Sequence, residues 1–91
     1  MMGGDYLNSI LALDVFEDFK YDYENGEIGS IKYLDTWDYE YEYSHAEINA
    51  ARTEFIKMAN TFLESMNSPY YMREVTENVM LCYRDTNEIV R

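Results

Sequence analysis

Three carboxylates in the middle of the chain stand at every second position: Asp38, Glu40 and Glu42. Large aromatic residues take the places beside them, namely Trp37, Tyr39, Tyr41 and Tyr43. Strict alternation of this kind is typical of a half-buried β-strand, so the pattern predicts a strand with one aromatic face and one acidic face. Successive carboxylates on such a face would lie about 6.6 Å apart. A row of this kind is able to bind cations or a positively charged partner.

A calcium site is the first chemistry to test, because calcium prefers carboxylate ligands. The best alignment with an EF-hand loop places Gly26 at the obligatory sixth position. Tyr21 and Lys32 then take the first and twelfth positions, where Asp and Glu are required. Parallel carboxylates on a strand also do not converge on one ion. We therefore predict no metal site and no other cofactor.

The regular row suits a groove that binds nucleic acid, because such a groove presents Lys and Arg to a line of phosphates. In this hypothesis the carboxylates take the place of phosphates. The predicted partner-binding residues are Asp22, Glu24, Glu27, Asp35, Asp38, Glu40, Glu42 and Glu47. The alternative is a solvated outer face with no partner.

The charge is concentrated in the first half of the chain. Residues 1–47 hold 12 of the 18 acidic residues and two of the seven basic ones, a balance of −10, whereas residues 48–91 hold six acids and five bases, a balance of −1. A field of one sign steers a protein toward cationic partners and away from nucleic acids and anionic membranes. We therefore expect a basic protein partner, with no direct binding to nucleic acid or membrane.

Catalytic signals are missing from the sequence. The one histidine, His45, falls in the first turn of a predicted helix, where an exposed residue is a better interpretation than a general base. Glycine-rich phosphate loops and the G-x-S-x-G motif are also missing. The single cysteine, Cys82, forms no intrachain disulfide and is interpreted as a small buried hydrophobe. These features predict a cytoplasmic protein that is not an enzyme.

The first half is predicted to form a helix and a three-stranded antiparallel meander. Asp5 as a cap, followed by Leu7, Ile10 and Leu11, predicts a helix over residues 6–15. Period-two alternation over residues 19–24 predicts a strand, and Asn25-Gly26 predicts a type I′ hairpin turn. A bulge at Gly29 would bring the second strand into phase, and residues 37–43 would form the third.

The second half is predicted to be helical. In "SHAE", Ser44 and Glu47 form a capping box that starts a long amphipathic helix over residues 45–66. Ser68 and Pro69 predict a last helix that ends near residue 82. The alternative is a hairpin of "VMLCYR" and "EIV" across residues 85–87.

These elements give an α+β fold in a single domain, residues 1–91, with the long helix packed on the aromatic face of the sheet. The residues predicted to be buried at this junction are Trp37, Tyr39, Tyr41, Phe55, Ala59 and Phe62.

In size, acidity and element order the chain resembles small phage anti-defence proteins. These include anti-CRISPR inhibitors, which occupy the nucleic-acid groove of a CRISPR effector, and anti-restriction DNA mimics. The likeness is one of layout, over the whole chain. It implies a non-catalytic inhibitor that binds a CRISPR effector, a restriction enzyme or a nuclease in the cytoplasm, which is that of the host cell if a phage encodes the protein.

Two alternatives remain beside the resemblance. An immunity protein for a toxin nuclease would have the same acidic character and a different target. A homodimeric interaction module would pair the tyrosine strand of residues 37–43 with its own copy, at the cost of placing like charges opposite each other. Both a monomer and a dimer are compatible with the sequence.

Overall fold

The first element is a helix of 22 residues, α1 (Gly3–Glu24), in a computed structural model that describes residues 3–91 and the side chains from Ile10 onward. The predicted end at residue 15 and the predicted strand over residues 19–24 are therefore wrong. The buried residues Leu11, Val15 and Phe19 recur every four positions, which continues one helical face past residue 15. Asp5, predicted as the cap, lies within α1, and its side chain and that of Leu7 lie outside the described side chains.

Asn25-Gly26 ends α1 and does not form the predicted hairpin turn. Gly26 has a φ angle of +76°, its N–H donates to the carbonyl of Tyr23 at 3.2 Å, and the N–H of Glu27 donates to the carbonyl of Asp22 at 2.8 Å. This pair of bonds is the Schellman motif, in which a glycine with positive φ closes a helix. The hairpin prediction had the right glycine conformation and the wrong motif.

Residues 27–43 form loops and one short helix, α2 (Thr36–Tyr39). The predicted three-stranded meander is therefore wrong. Gly29 does not form a bulge in a strand. A Cβ atom there would lie 2.5 Å from the carbonyl carbon of Arg91, so the glycine allows close packing of these two backbone segments.

The long helix α3 (His45–Ser65) is confirmed, together with its capping box. The N–H of Glu47 donates to Ser44 Oγ at 3.1 Å, and the N–H of Ser44 donates to Glu47 Oε1 at 2.8 Å. Both partners of this motif lie within one turn, which explains why the sequence placed the start of α3 correctly.

The chain after α3 forms a hairpin of β1 (Tyr70–Glu74) and β2 (Val79–Tyr83), so the predicted last helix is wrong. The strands are antiparallel, with Met72 opposite Leu81. Beyond β2, an isolated bridge joins Cys82 to Ile89, as the alternative hairpin across residues 85–87 predicted. In the described residues the sheet thus has two strands, and the fold keeps the predicted α+β class.

Helices α1 and α3 and the sheet enclose one hydrophobic core. Phe19 lies at its centre, with its ring 5.8 Å from Tyr33 and 6.1 Å from Phe55, centroid to centroid. Phe55 and Ala59 are buried as predicted, and Phe62 is half-buried against the same core. Over the described residues, every helix is too short or too polar to cross a membrane.

Candidate functional site

Residues 36–43 follow helical turns and form no strand, which overturns the prediction of an aromatic face and an acidic face. Backbone bonds run from Glu40 N–H to the Thr36 carbonyl and from Tyr43 N–H to the Tyr39 carbonyl, both at 3.0 Å. Helical turns place residues four apart on the same side. Trp37 and Tyr41 are accordingly 70% and 84% exposed, whereas Tyr39 and Tyr43 are half-buried, with ring centroids 6.4 Å apart.

Trp37 and Tyr41 were predicted to be buried, and their exposure shows that this prediction is wrong. The three alternating carboxylates Asp38, Glu40 and Glu42 are also exposed. The segment therefore exposes two large aromatic side chains and three carboxylates within six consecutive residues, 37–42. A regular line of carboxylates at strand spacing, as proposed for phosphate substitution, does not exist.

A buried arginine, Arg52, fixes this segment to the rest of the fold. Its side chain is 2% exposed, and the guanidinium donates to the Thr36 hydroxyl, to the Leu34 carbonyl at 3.0 Å and to the Glu77 carbonyl at 2.7 Å. The N–H of Thr36 donates to the same Glu77 carbonyl at 3.1 Å. Arg52 thereby joins α3 to the start of α2 and to the turn between β1 and β2.

One acidic cavity, which we call the Trp37 pocket, has a volume of about 380 Å³. Its wall includes Asp35, Trp37, Glu40, His45, Glu77 and Asn78. His45 Nε2 lies 3.4 Å from Glu40 Oε1, and His45 is exposed, as the sequence predicted. Lys32 also lines the pocket and is the one Lys or Arg that does so.

Asn78 is the one largely buried side chain with an unsatisfied oxygen in this wall. The residue is 6% exposed, and its Nδ2 donates to the Thr76 carbonyl at 3.0 Å, which fixes the orientation of the amide. Its Oδ1 has no hydrogen-bond partner within the described part of the chain. Buried acceptors of this kind are uncommon, because leaving one without a donor costs free energy.

Another acidic cavity, which we call the Tyr33 cleft, lies between α1, residues 31–34 and α2 and has a volume of about 350 Å³. Its wall includes Asp18, Asp22, Lys32, Tyr33, Asp38 and Tyr39. The hydroxyl of Tyr33 donates to Asp22 Oδ2 at 2.9 Å. Burial, followed by this hydrogen bond and the charges of Asp22 and Asp18, raises the pKa of the Tyr33 phenol. Burial and nearby charges, first that of Asp18, raise the pKa of Tyr39.

The structure divides the eight predicted partner-binding residues among several places. Asp35 and Glu40 line the Trp37 pocket, whereas Asp22 and Asp38 line the Tyr33 cleft. Glu47 is engaged in the capping box. The other three predicted residues, which are exposed and line neither cavity, are Glu24, Glu27 and Glu42.

The prediction missed Asp18 in the cleft and Glu77 in the pocket. Asp14, Asp18 and Asp22 stand four residues apart, so a longer predicted α1 would have placed them on one side of the helix. Glu77 gave no such signal, because the sequence around it was interpreted as helix.

Exposed aromatics beside two carboxylate-lined cavities are suited to binding cations and positively charged protein surfaces. Among the residues that the structure describes, no three His, Cys, Asp or Glu side chains are grouped to hold a metal ion. Comparison of the chain with models of protein families, with curated proteins and with solved structures found no match.

Proposed function

We propose that the protein is a non-catalytic inhibitor that binds the basic, nucleic-acid-binding surface of another protein, of the kind found in CRISPR effectors, restriction enzymes and nucleases. The observation that carries this proposal is the exposure of Trp37 and Tyr41 in a segment whose carboxylates Asp38, Glu40 and Glu42 are also exposed. Trp and Tyr are enriched among the residues that supply most of the binding energy in protein interfaces. The surrounding carboxylates select a basic partner.

The binding surface consists of Trp37, Tyr41 and the exposed carboxylates Asp38, Glu40 and Glu42, together with the two cavities beside them. The carboxylates compete for the Lys and Arg side chains that otherwise bind phosphates. They act as a concentrated negative surface, since their positions do not copy the spacing of a nucleic-acid backbone. The charge of −11 accelerates association with a basic partner and repels free nucleic acid.

The homodimer alternative loses its basis, because it required residues 37–43 to be an edge strand. Backbone groups on both edges of the observed sheet also have partners. On β2, Val79 exchanges two 2.8 Å backbone bonds with Tyr33, and on β1 the side chain of Asn60 bonds the backbone of Met72. An immunity protein for a toxin nuclease would use the same acidic surface, so it differs from the proposal only in its target.

A competition assay tests the proposal. Labelled DNA or RNA is bound to candidate CRISPR effectors, restriction enzymes and toxin nucleases, and the protein is titrated in at two salt concentrations. We expect stoichiometric release of nucleic acid from one class of target, with weaker competition at high salt. Direct binding of the protein to the labelled nucleic acid would contradict the proposal.

The matched variants carry equal changes in charge on different surfaces. Asp38→Asn, Glu40→Gln and Glu42→Gln together should weaken competition by at least about a hundredfold, because they remove carboxylates paired with the target. A control with three exposed acids changed elsewhere, Glu64→Gln, Asp85→Asn and Glu88→Gln, should lose far less. Equal losses in the two variants would assign the effect to net charge and overturn the proposed surface.

A further inference from the structure

We infer that the Trp37 pocket is an arginine-binding site, which takes one guanidinium group from the partner. The inference rests on the proposed function and names the side chain that the acidic surface binds most selectively. The pocket wall combines an exposed indole, three carboxylates and one buried acceptor that has no donor among the described residues.

The indole of Trp37 supplies the surface on which a planar cation stacks. At 70% exposure much of the ring is open to solvent, although Trp is usually a well-buried residue. Guanidinium groups bind the faces of aromatic rings by cation–π attraction and stacking, and Trp is the best aromatic partner for them. The exposure of Trp37 is thereby explained by its ligand.

The carboxylates of the wall provide acceptors for the five N–H donors of a guanidinium. Asp35, Glu40 and Glu77 come from the loop before α2, the turn after α2 and the β1–β2 turn, so they surround the pocket from three segments. A lysine has three donors on a compact, strongly hydrated ammonium group, which fits a wide pocket less well. The pocket should therefore prefer arginine to lysine.

Asn78 is the independent observation that points to a ligand with N–H groups. Its Oδ1 is a buried acceptor with no donor in the described residues, and its Nδ2 is already bound to the Thr76 carbonyl. The oxygen itself is covered by neighbouring atoms, so a guanidinium in the pocket reaches it only when the atoms that cover it move. The incoming group then supplies the donor that the oxygen lacks, which adds affinity.

Two residues of the pocket wall are held in place before the ligand arrives. Arg52 donates to the Thr36 hydroxyl and to the Glu77 carbonyl, and both residues belong to the wall. A binding site whose walls are fixed by buried hydrogen bonds loses less entropy on binding. Lys32 works against an incoming cation, so its removal should strengthen arginine binding.

Trp37 is the only tryptophan in the chain, so its fluorescence reports on this pocket alone. The probe is the peptide acetyl-Gly-Arg-Gly-amide, titrated into the full chain. Matched peptides carry lysine or citrulline, the neutral analogue of arginine. We expect saturable fluorescence changes with a Kd on the order of 1 mM for arginine, and binding about fivefold or more weaker for the other two. Equal responses to arginine and citrulline, or no saturation below about 50 mM, would overturn the inference.

Variants separate the pocket from general acidity. Glu40→Gln with Glu77→Gln should weaken arginine binding about fivefold or more, whereas Glu64→Gln with Glu88→Gln, which are exposed and lie outside both cavities, should change it by less than about twofold. Lys32→Gln should tighten it. Equal weakening by both double variants would contradict the site. If the parent protein releases nucleic acid from an enzyme but gives no saturable fluorescence change with the arginine peptide, the arginine site alone is rejected. If it binds the arginine peptide but releases nucleic acid from no enzyme, the proposed function is rejected.

Discussion

Arg52 Nη2 donates a hydrogen bond of 2.7 Å to the carbonyl oxygen of Glu77, a residue with a φ angle of +57°. A second carbonyl bound by Arg52 belongs to Leu34, whose φ angle is +53°. This left-handed conformation raises the free energy of a residue other than glycine by about 1 to 2 kcal/mol. The two carbonyls give the buried guanidinium its hydrogen-bond acceptors, and the guanidinium in turn stabilises the two residues with positive φ angles.

The first prediction is that Arg52→Lys destabilises the fold. A lysine keeps the charge but cannot reach the Leu34 carbonyl, the Thr36 hydroxyl and the Glu77 carbonyl together. We expect a loss of about 2 to 4 kcal/mol in the free energy of unfolding, measured by urea denaturation. The control Lys57→Met, at an exposed site on the same helix, should change it by less than about 0.5 kcal/mol. A loss for Arg52→Lys no larger than the control would show that the network contributes little.

The second prediction concerns the outer edge of β1. Asn60 Nδ2 donates to the Met72 carbonyl at 3.1 Å, and the Met72 N–H donates to Asn60 Oδ1 at 2.7 Å, so one side chain takes the place of a neighbouring strand. Asn60→Ala leaves both buried backbone groups without partners and should cost about 1 to 3 kcal/mol. Thermal and urea unfolding measure the loss, with Thr53→Ala on the exposed side of α3 as the control. Similar stability for the two variants would refute the edge role of Asn60.

The third prediction is a loss of stability in alkali. The pKa of the Tyr33 phenol is raised above its ordinary value of about 10, chiefly by burial and then by Asp22 and Asp18. The folded state therefore favours the protonated phenol more than the unfolded state does. This contribution is complete below about pH 10 and decreases as the pH rises from there toward the folded pKa.

Urea unfolding at about pH 8 and about pH 11 measures this effect. Tyr33→Phe should lose about 1 kcal/mol at the lower pH, because the bond to Asp22 is gone, and its stability should fall less steeply at the higher pH. Tyr21→Phe, at an exposed position, should follow the parent at both. An equally steep fall for Tyr33→Phe would assign the alkaline loss to other groups.

Local signals explain what the sequence predicted correctly. The capping box joins Ser44 and Glu47, three residues apart, and α3 was predicted over residues 45–66 against the observed His45–Ser65. The alternation of aromatic residues led to the wrong prediction of a strand. Residues four positions apart lie on one side of a strand, which repeats every two residues, and also on one side of a helix, which repeats every 3.6 residues. Trp37 with Tyr41, and Tyr39 with Tyr43, satisfy both patterns, and the helical turns place the two pairs on different sides.

Distant contacts explain what the sequence could not predict. Asn25-Gly26 has the composition of a hairpin turn and caps a helix, whereas the real hairpin turns through Thr76 and Glu77, with φ angles of +40° and +57°. These two residues are poor choices for such a turn. The carbonyl of Glu77 is bound by Arg52, which lies 25 residues away in the chain. The acidic character of the site was evident in the composition, but its pockets required this long-range contact.

The last prediction sets the stability of that turn against binding in the Trp37 pocket. Replacing Thr76 and Glu77 by Asn and Gly gives the preferred residues for a two-residue turn with positive φ and should stabilise the fold by about 1 to 2 kcal/mol. The same double variant removes a carboxylate from the pocket and should weaken arginine binding. Thr76→Asn alone changes a residue of the pocket wall but keeps its three carboxylates, so it should stabilise the fold by about 1 kcal/mol and weaken arginine binding less than the double variant does. Urea unfolding and the Trp37 fluorescence titration measure the two effects. If Glu77 served the fold alone, the double variant would gain stability with no loss of arginine affinity, and the strained turn would have no connection with function.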